Sequence, residues 1–464
     1  MKKFLFSILM TSILTACANT TIPVESSVNL PIQFEKNKNA MGSEDIRQWW
    51  SFWQDSQLTQ LIEEALRYNK DIALAQTHLA EARSTAQLAT ADKGPTIGVG
   101  ANIGAARTRA NDLPLIGDSY NTFSAGGVGV SASWEPDFFG KKQSDADAAM
   151  YAALSKEEQL YATQLAIVAQ LAQSYFQFNT LWQYHAILSQ NLTVLNKLHR
   201  YLQGRFNAGH VTRYEVEQIQ SNILSLQAQQ SDLITQADSL ARQIAVLSGK
   251  NPQNLASILH PNLKVLQYAP PAPTGQLPGT VMERRPDIRA YALGIKARSA
   301  QLASAKADLL PRFDIQFLGQ GGRLSLSSDL SSVSGLASIV SAGVQLPIFT
   351  NGRIQANIDA ANARLKASII EYDQALLKAL AEVESHYQLN DGLAQKVRLL
   401  EKTISQQQQQ AQNADKLFKH GHKTLDEVLK AQLDSLTTQR ELTQARLQRH
   451  ENMISLYKAL GGGW

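Results

Sequence analysis

A single cysteine, Cys17, stands in 464 residues, so no disulfide can close within one chain and the fold must rest on packing and hydrogen bonding. Long apolar runs are equally scarce. The most apolar stretch, Phe4 to Ile13, falls well short of the about 20 residues that a membrane-spanning helix needs. A helical span is thereby excluded, whereas a β-barrel contribution is not. Charge of one sign is missing too: 44 basic against 40 acidic residues leave a net +4, or +2 once a leader carrying Lys2 and Lys3 is removed. No dense Lys/Arg stripe exists to neutralise phosphates, which argues against a nucleic-acid partner. The nine histidines form no cluster with carboxylates at metal-ligand spacing, and no nucleophile has an evident base partner. The expectation is therefore a protein that is not an enzyme and uses no cofactor and no metal. What is plentiful is apolar content, 44%, enough for substantial burial.

The N-terminus carries the first positive signal. Lys2-Lys3 forms a basic region before the short apolar stretch, and Leu14-Thr15-Ala16-Cys17 then has the form of a bacterial lipobox, in which cleavage precedes a cysteine that becomes lipidated. Residues 1–16 are expected to be a lipoprotein signal peptide, Cys17 the lipidation site and 17–54 a lipidated N-terminal segment. Ala18, rather than an aspartate, follows the cysteine; by similarity to bacterial lipoproteins this favours the outer membrane.

The chain contains itself twice. Arg205-Phe-Asn-Ala-Gly-His-Val-Thr-Arg-Tyr-Glu-Val216 returns as Leu417-Phe-Lys-His-Gly-His-Lys-Thr-Leu-Asp-Glu-Val428, 212 positions later, and the same offset pairs Gly140 with Gly352. A slightly larger offset pairs Asp71-Ile72 with Asp287-Ile288. The repeats are assigned to 55–248 and 281–464, joined by a Pro-rich linker over 249–280. Within each copy the period changes. Gln57 to Asp92 has helical spacing, and from Pro95 the composition turns to Gly, Val, Ile, Phe and Ser with partial alternation, as in Phe313, Ile315 and Phe317. Four strands are expected, about 95–106, 121–135, 311–322 and 335–349. After Gly140 and Gly352 long proline-free helices run to about Asn207 and Lys419. At 1.5 Å per residue each makes a rod roughly 100 Å long. Each rod turns at a glycine, Gly209 or Gly421, and a returning helix follows.

That returning helix carries a seam: Val216, Ile219, Ile223, Leu226, Gln230, Leu233, Ala237, Leu240, Ile244 and Leu247 step by three and four. Tyr161, Leu165, Val168, Ala172, Tyr175, Asn179 and Trp182 do the same on the outgoing helix. The plain reading is coiled-coil packing, with polar Asn179 and Gln230 setting register. Gly98 to Gly104 looks superficially like a dinucleotide loop, but its spacing is wrong and no βαβ unit surrounds it. Gln406 to Gln410 lies inside a helical run and reads as a polar helix face.

Four strands with an apolar face cannot stand alone in a membrane, because an open edge leaves backbone groups unpaired. Closure takes about eight strands or more, so strands must come from further copies of the chain. Here the residues reach a known family. Trp49-Trp50-Ser-Phe-Trp53 followed by Leu58 and Leu61, the run Arg284-Arg285-Pro286-Asp287-Ile288, the two glycine tips and the closing Ala459-Leu460-Gly461-Gly462-Gly463-Trp464 resemble the outer-membrane factors, TolC-like channels, in the lipoprotein branch serving multidrug pumps. The resemblance covers nearly everything after Cys17. It implies a mainly α fold with a membrane β-barrel part. Three chains would give four strands each to a twelve-stranded barrel, long coiled-coil helices would form a periplasmic α-barrel, and a mixed equatorial layer would surround it. It also implies a homotrimer in outer-membrane lipid, joined to a periplasmic adaptor (membrane fusion) protein and through it to an inner-membrane transporter.

Carried over by position, the resemblance implies a periplasmic gate at Glu427 and Lys430, with a lysine where an aspartate is usual. It further implies a hairpin latch of Tyr214, Glu215, Phe418 and Lys423, and adaptor-docking tips at Gly209, His210, Gly421 and His422. Glu427 and Lys430 are expected to share a helix face, being three residues apart; the alternative is two solvated charges. His420 and His422 lack a third ligand and read as surface turn residues. The expected function is the exit duct of a tripartite efflux system for drugs or other small solutes. An outer-membrane channel for type I protein secretion is the alternative of the same class, and a structural periplasmic coiled-coil lipoprotein that of another.

Overall fold

A computed structural model of the chain describes residues 26–35, 45–109, 120–253, 259–326 and 332–462. The expected signal peptide, the expected lipidation site Cys17, Gly463 and Trp464 lie outside the described residues. Among the described residues the chain forms two compact units, one within 79–155 and 291–371, the other within 26–78, 156–290 and 372–462. Each draws on both repeats.

The helices are α1 Ser56–Tyr68, α2 Lys70–Ala91, α3 Lys141–Asn207, α4 Arg213–Leu247, α5 Pro278–Arg284, α6 Pro286–Ala307, α7 Arg353–Lys419 and α8 Leu425–Ala459. Rods α3 and α7 have 67 residues each and returning helices α4 and α8 have 35 each, so the duplication holds to the residue. No described helix is long and apolar enough to cross a membrane. The expected helical run from Gln57 to Asp92 is interrupted at Asn69, which adopts extended backbone between α1 and α2. Its Oδ1 accepts from the N–H groups of Asp71 and Ile72, capping α2, so the side chain supplies the partners a continuous helix would have used. Arg285 occupies the matching break between α5 and α6.

In the first unit strands β1 Thr96–Arg109, β2 Tyr120–Trp134, β3 Arg312–Leu326 and β4 Val333–Gln345 form one antiparallel sheet in chain order. The fourth ends at Gln345, short of the expected 349, just before Leu346 and Pro347, whose missing N–H cannot extend a ladder. The register places Ile97, Val99, Ala101 and Ile103 beside Ala132, Val130, Val128 and Gly126, then beside Phe317, Gly319, Gly321 and Arg323. Phe317 in turn faces Val340, Ile315 faces Ala342 and Phe313 faces Val344. One face is therefore apolar, with basic residues entering only toward the loop end at Arg107 and Arg323. The opposite face carries Gly98, Gly100, Asn102, Ser131, Ser133, Gln316 and Gln320, with Leu318, Leu324 and Ile339 among its apolar exceptions. Glycine permits close strand approach here: a Cβ added at Gly322 would lie 2.7 Å from the Gly126 carbonyl oxygen. Val99, Ile103 and Leu336 are 81%, 94% and 93% exposed, so nothing among the described residues covers the apolar face.

The second unit is organised by aromatics. Residues Trp49–Trp53 form a single 3-10 turn in which all three tryptophans are buried. Trp49 stacks on Tyr457 of α8 at 5.5 Å between ring centroids, and Phe176 of α3 stacks on His450 at 4.4 Å. Asp55 caps α1 through the Leu58 N–H, and its other oxygen accepts from Tyr175 Oη at 3.0 Å and Asn262 Nδ2 at 2.8 Å. Mid-α3 is thus surrounded: Ala169, Leu171, Ser174, Phe178 and Thr180 are buried together with the expected seam residues Leu165 to Asn179. The stripe expected there is a helix buried on most sides, because the N-terminal turn, α8 and the linker all pack on it. On α4 the seam stands as read. Val216, Ile223, Ala237, Ile244 and Leu247 are buried, and Gln230 Nε2 donates across it to Ser189 Oγ of α3 at 2.8 Å. Asn179 serves differently, its Oδ1 accepting from the Asn262 N–H at 2.6 Å and so fastening the linker to α3.

Candidate functional site

The tips are built twice by one mechanism. Gly209 and Gly421 hold left-handed φ of +76° and +75°. At each, the glycine N–H donates three residues back and the next N–H five residues back, to Phe206 and Arg205 in the first tip and to Phe418 and Leu417 in the second. This is the glycine-dependent cap that satisfies the last carbonyls of a helix. His210 and His422 follow the glycine in each case and so sit in the turn itself. Among the described residues no three His, Cys, Asp or Glu side chains gather as a metal-holding group.

Each returning helix then opens with a capping box. Thr212 and Thr424 are the caps, and Glu215 and Glu427 are the reciprocal acids three residues on. Glu215 Oε2 accepts from the Thr212 N–H at 2.6 Å, and Glu427 Oε2 accepts from the Thr424 N–H at 3.0 Å. The family resemblance assigns Glu215 to a latch and Glu427 to a gate, yet they are the same structural residue of the two repeats. The Thr-x-x-Glu spacing before an apolar residue was a legible signal of this. Glu427 also accepts from Lys423 Nζ at 2.8 Å. The Lys423 side chain and the Thr424 N–H hold its carboxyl down at about 2, so it stays ionised at any physiological pH.

Lys430 faces a different acid, Asp426, at 3.7 Å, and Asp426 lies 3.8 Å from Arg205 at the end of α3. Asp426, absent from the sequence reading, thus connects the first hairpin to the second. Beneath it Leu198, Leu202, Val216, Leu429 and Leu436 share one apolar cluster, with Tyr201, Ile219 and Leu425 packed against it. Tyr214 is exposed and Phe418 half-buried. Within one chain, then, the charges beside the second tip are paired locally, Lys423 with Glu427 and Lys430 with Asp426, while Glu215 is held by the Thr212 cap.

A second duplicated device lies in the run Arg284-Arg285-Pro286. Asn69 Nδ2 donates to the carbonyl of Leu247, the last residue of α4. Arg285 Nη1 donates at 3.0 Å to the carbonyl of Ala459, the last residue of α8. The break between two helices in each repeat thereby holds the C-terminal end of that repeat's returning helix. Arg285 also bridges Asp287 and Glu382, and Arg284 donates twice to the Leu460 carbonyl.

The outer membrane efflux protein family profile matches residues 61–250 and 277–462, and the chain belongs to this family. Pyoverdine export outer membrane protein OpmQ of Pseudomonas aeruginosa is 30% identical over 470 residues, covering 97% of this chain and 95% of its own. Cation efflux system protein CusC of Escherichia coli O6:H1 is 29% identical over 464 residues, covering 97% and 96%. The Campylobacter jejuni CmeC outer membrane channel has the same fold, with a TM-score of 0.82 at 19% identity over 96% of this chain and 94% of that one. The fold class is that of these channels, mainly α with a membrane β-barrel part.

Proposed function

We propose that this chain is the passive exit duct of a tripartite efflux assembly, working as a homotrimer in which twelve strands close one barrel. The observation that carries the reading is the sheet: two edges without partners among the described residues, one bare apolar face and one face of glycine and small polar groups. Such a sheet meets lipid on one side and water on the other once neighbouring copies supply the missing edge bonds. Relatives named for pyoverdine export and cation efflux support small solutes as cargo. A periplasmic adaptor would dock at Gly209, His210, Gly421 and His422, and lipid on Cys17 would add to membrane attachment.

The direct test is accumulation of a fluorescent efflux dye in cells lacking the protein, with and without its gene restored. Higher accumulation that restoration reverses is the expected result; unchanged accumulation would count against small-solute efflux. The barrel itself is tested by Val99→Arg. An arginine on the lipid face near mid-membrane costs about 2–4 kcal/mol per site, and three copies carry it. Loss of the heat-modifiable trimer band is expected, whereas Ser131→Arg on the opposite face should retain it.

The mouth is proposed to be held by Glu427 and Lys430 contacts between copies and by a Glu215–Lys423 contact between hairpins. Lys423→Glu breaks the pair with Glu427 and sets two carboxylates side by side. Single-channel conductance or leakage should rise, by about fivefold at most from the hairpin contact, since an exposed ion pair is worth about 0–1 kcal/mol. Unchanged conductance would remove Lys423 from the latch.

A further inference from the structure

Linker residues Leu266 to Ala269, α7 and α8 line a cavity of about 220 Å³ in the second unit. Its polar wall consists of Gln267, Arg398, Glu401, Arg446, Arg449 and His450, three guanidinium groups against one carboxylate. Glu401 is already used, accepting from Arg446 Nη2 at 2.8 Å. Among the described residues Arg398 and Arg449 have no ion pair. The Nε atoms of Arg446 and Arg449 are both buried without a hydrogen-bond partner. His450 adds no negative charge and no free acceptor, because Nδ1 receives the Trp53 N–H at 2.8 Å and Nε2 points at the Leu266 carbonyl. Burial and the nearby Arg398 charge push the Arg449 pKa down, the direction expected where positive potential is unrelieved.

Arg398 is exposed, so the cost falls on the buried Nε donors of Arg446 and Arg449, which are retained at a cost unless something meets them. The planar guanidinium fork is matched by a carboxylate or phosphate, which takes two parallel N–H bonds from one arginine. We propose that this cavity is an oxyanion site that takes one carboxylate or phosphate group of a small solute between Arg398 and Arg449. A bound anion would contact α7, α8 and the linker together, tying the segment between the repeats to the second repeat.

The test uses the full-chain assembly in detergent, titrated with inorganic phosphate and, separately, with succinate at constant ionic strength. Calorimetry and the thermal midpoint are read together. Saturable binding with a raised midpoint is expected, and Arg398→Gln should weaken it about 10-fold through loss of a charge-assisted fork. Glu401→Gln removes the sole competing carboxylate and should tighten binding, a change in the opposite direction that keeps the test decisive if the arginine variant folds poorly. A response to phosphate alone or succinate alone identifies which oxyanion the site accepts. Absence of saturable binding by either probe, or affinity unchanged in both variants, would overturn the proposal.

Discussion

Arg285→Ala is expected to destabilise the assembly by about 2–4 kcal/mol and to free the C-terminal end of α8. The Arg285 side chain is 10% exposed and serves three acceptors at once: Asp287, Glu382 and the Ala459 carbonyl. Removing it leaves a helix-end carbonyl and two carboxylates without their donor. The acids are partly solvated, which keeps the figure below that of a fully buried pair. Arg285→Lys should recover little, because an ammonium cannot span both carboxylates and the carbonyl with a planar fork. Hydrogen exchange at Tyr457 to Gly462 together with chemical denaturation checks the result. Equal protection in Arg285→Ala and the native chain would mean that Arg284 and core packing hold this end unaided. Asn69→Ala breaks the corresponding neutral clasp in the first repeat and should cost less, about 1–2 kcal/mol.

A second large effect is acid sensitivity centred on His450. Trp53 donates to Nδ1, which requires that nitrogen to be unprotonated, and burial pushes the imidazole pKa down to about 3. The unfolded imidazole titrates near 6.5. With the folded value lower, the unfolded state takes up the proton first. Stability is therefore intact above about 6.5 and is lost progressively as pH falls toward 3, by about 2 kcal/mol at pH 5. The depressed carboxylates Asp287 and Asp308 withdraw stability only below their ordinary value of 3.8, and Glu158, whose carboxyl burial raises above its ordinary 4.5, favours the folded state as it takes up a proton, so a loss of stability between 6.5 and about 4.5 is the histidine's. Near-UV circular dichroism of the tryptophan cluster during thermal denaturation should show a midpoint that falls across this interval. His450→Gln, whose amide oxygen can still accept from Trp53, should flatten that fall. A flat native profile would refute the assignment.

The two devices explain why parts of this chain could be read early and others could not. Rod lengths, glycine turns and strand number follow from local rules: proline-free helical periodicity, left-handed backbone at Gly209 and Gly421, and period-two alternation around Phe313 to Phe317. The seam on α4 was legible because one partner covers one stripe. On α3 the seam residues Leu165 to Asn179 are buried as read, but the burial of Ala169, Leu171, Ser174, Phe178 and Thr180 around them was not legible, because helices, turn and linker distant in sequence converge there. The break at Asn69 was hidden in a run of good helix formers, since its reason is the Leu247 carbonyl, 178 residues away.

The tips show the same division. The family resemblance alone offered Glu215 and Lys423 as latch and Glu427 and Lys430 as gate, while Thr-x-x-Glu spacing carried the capping role of Glu215 and Glu427. Their partners were decided in three dimensions. Asp426 meets Arg205 only because α8 packs beside the end of α3, and the arginine cavity exists only where the linker closes over α7 and α8. The sequence by itself determined most of the elements and their duplication, because periodicity and turn chemistry act over a few residues, and its resemblance to a known family pointed to the class of machine. Tertiary structure alone decided which side chains clasp helix ends, which charges are paired and which arginines are left facing a cavity, because those outcomes depend on contacts between segments that no local pattern encodes.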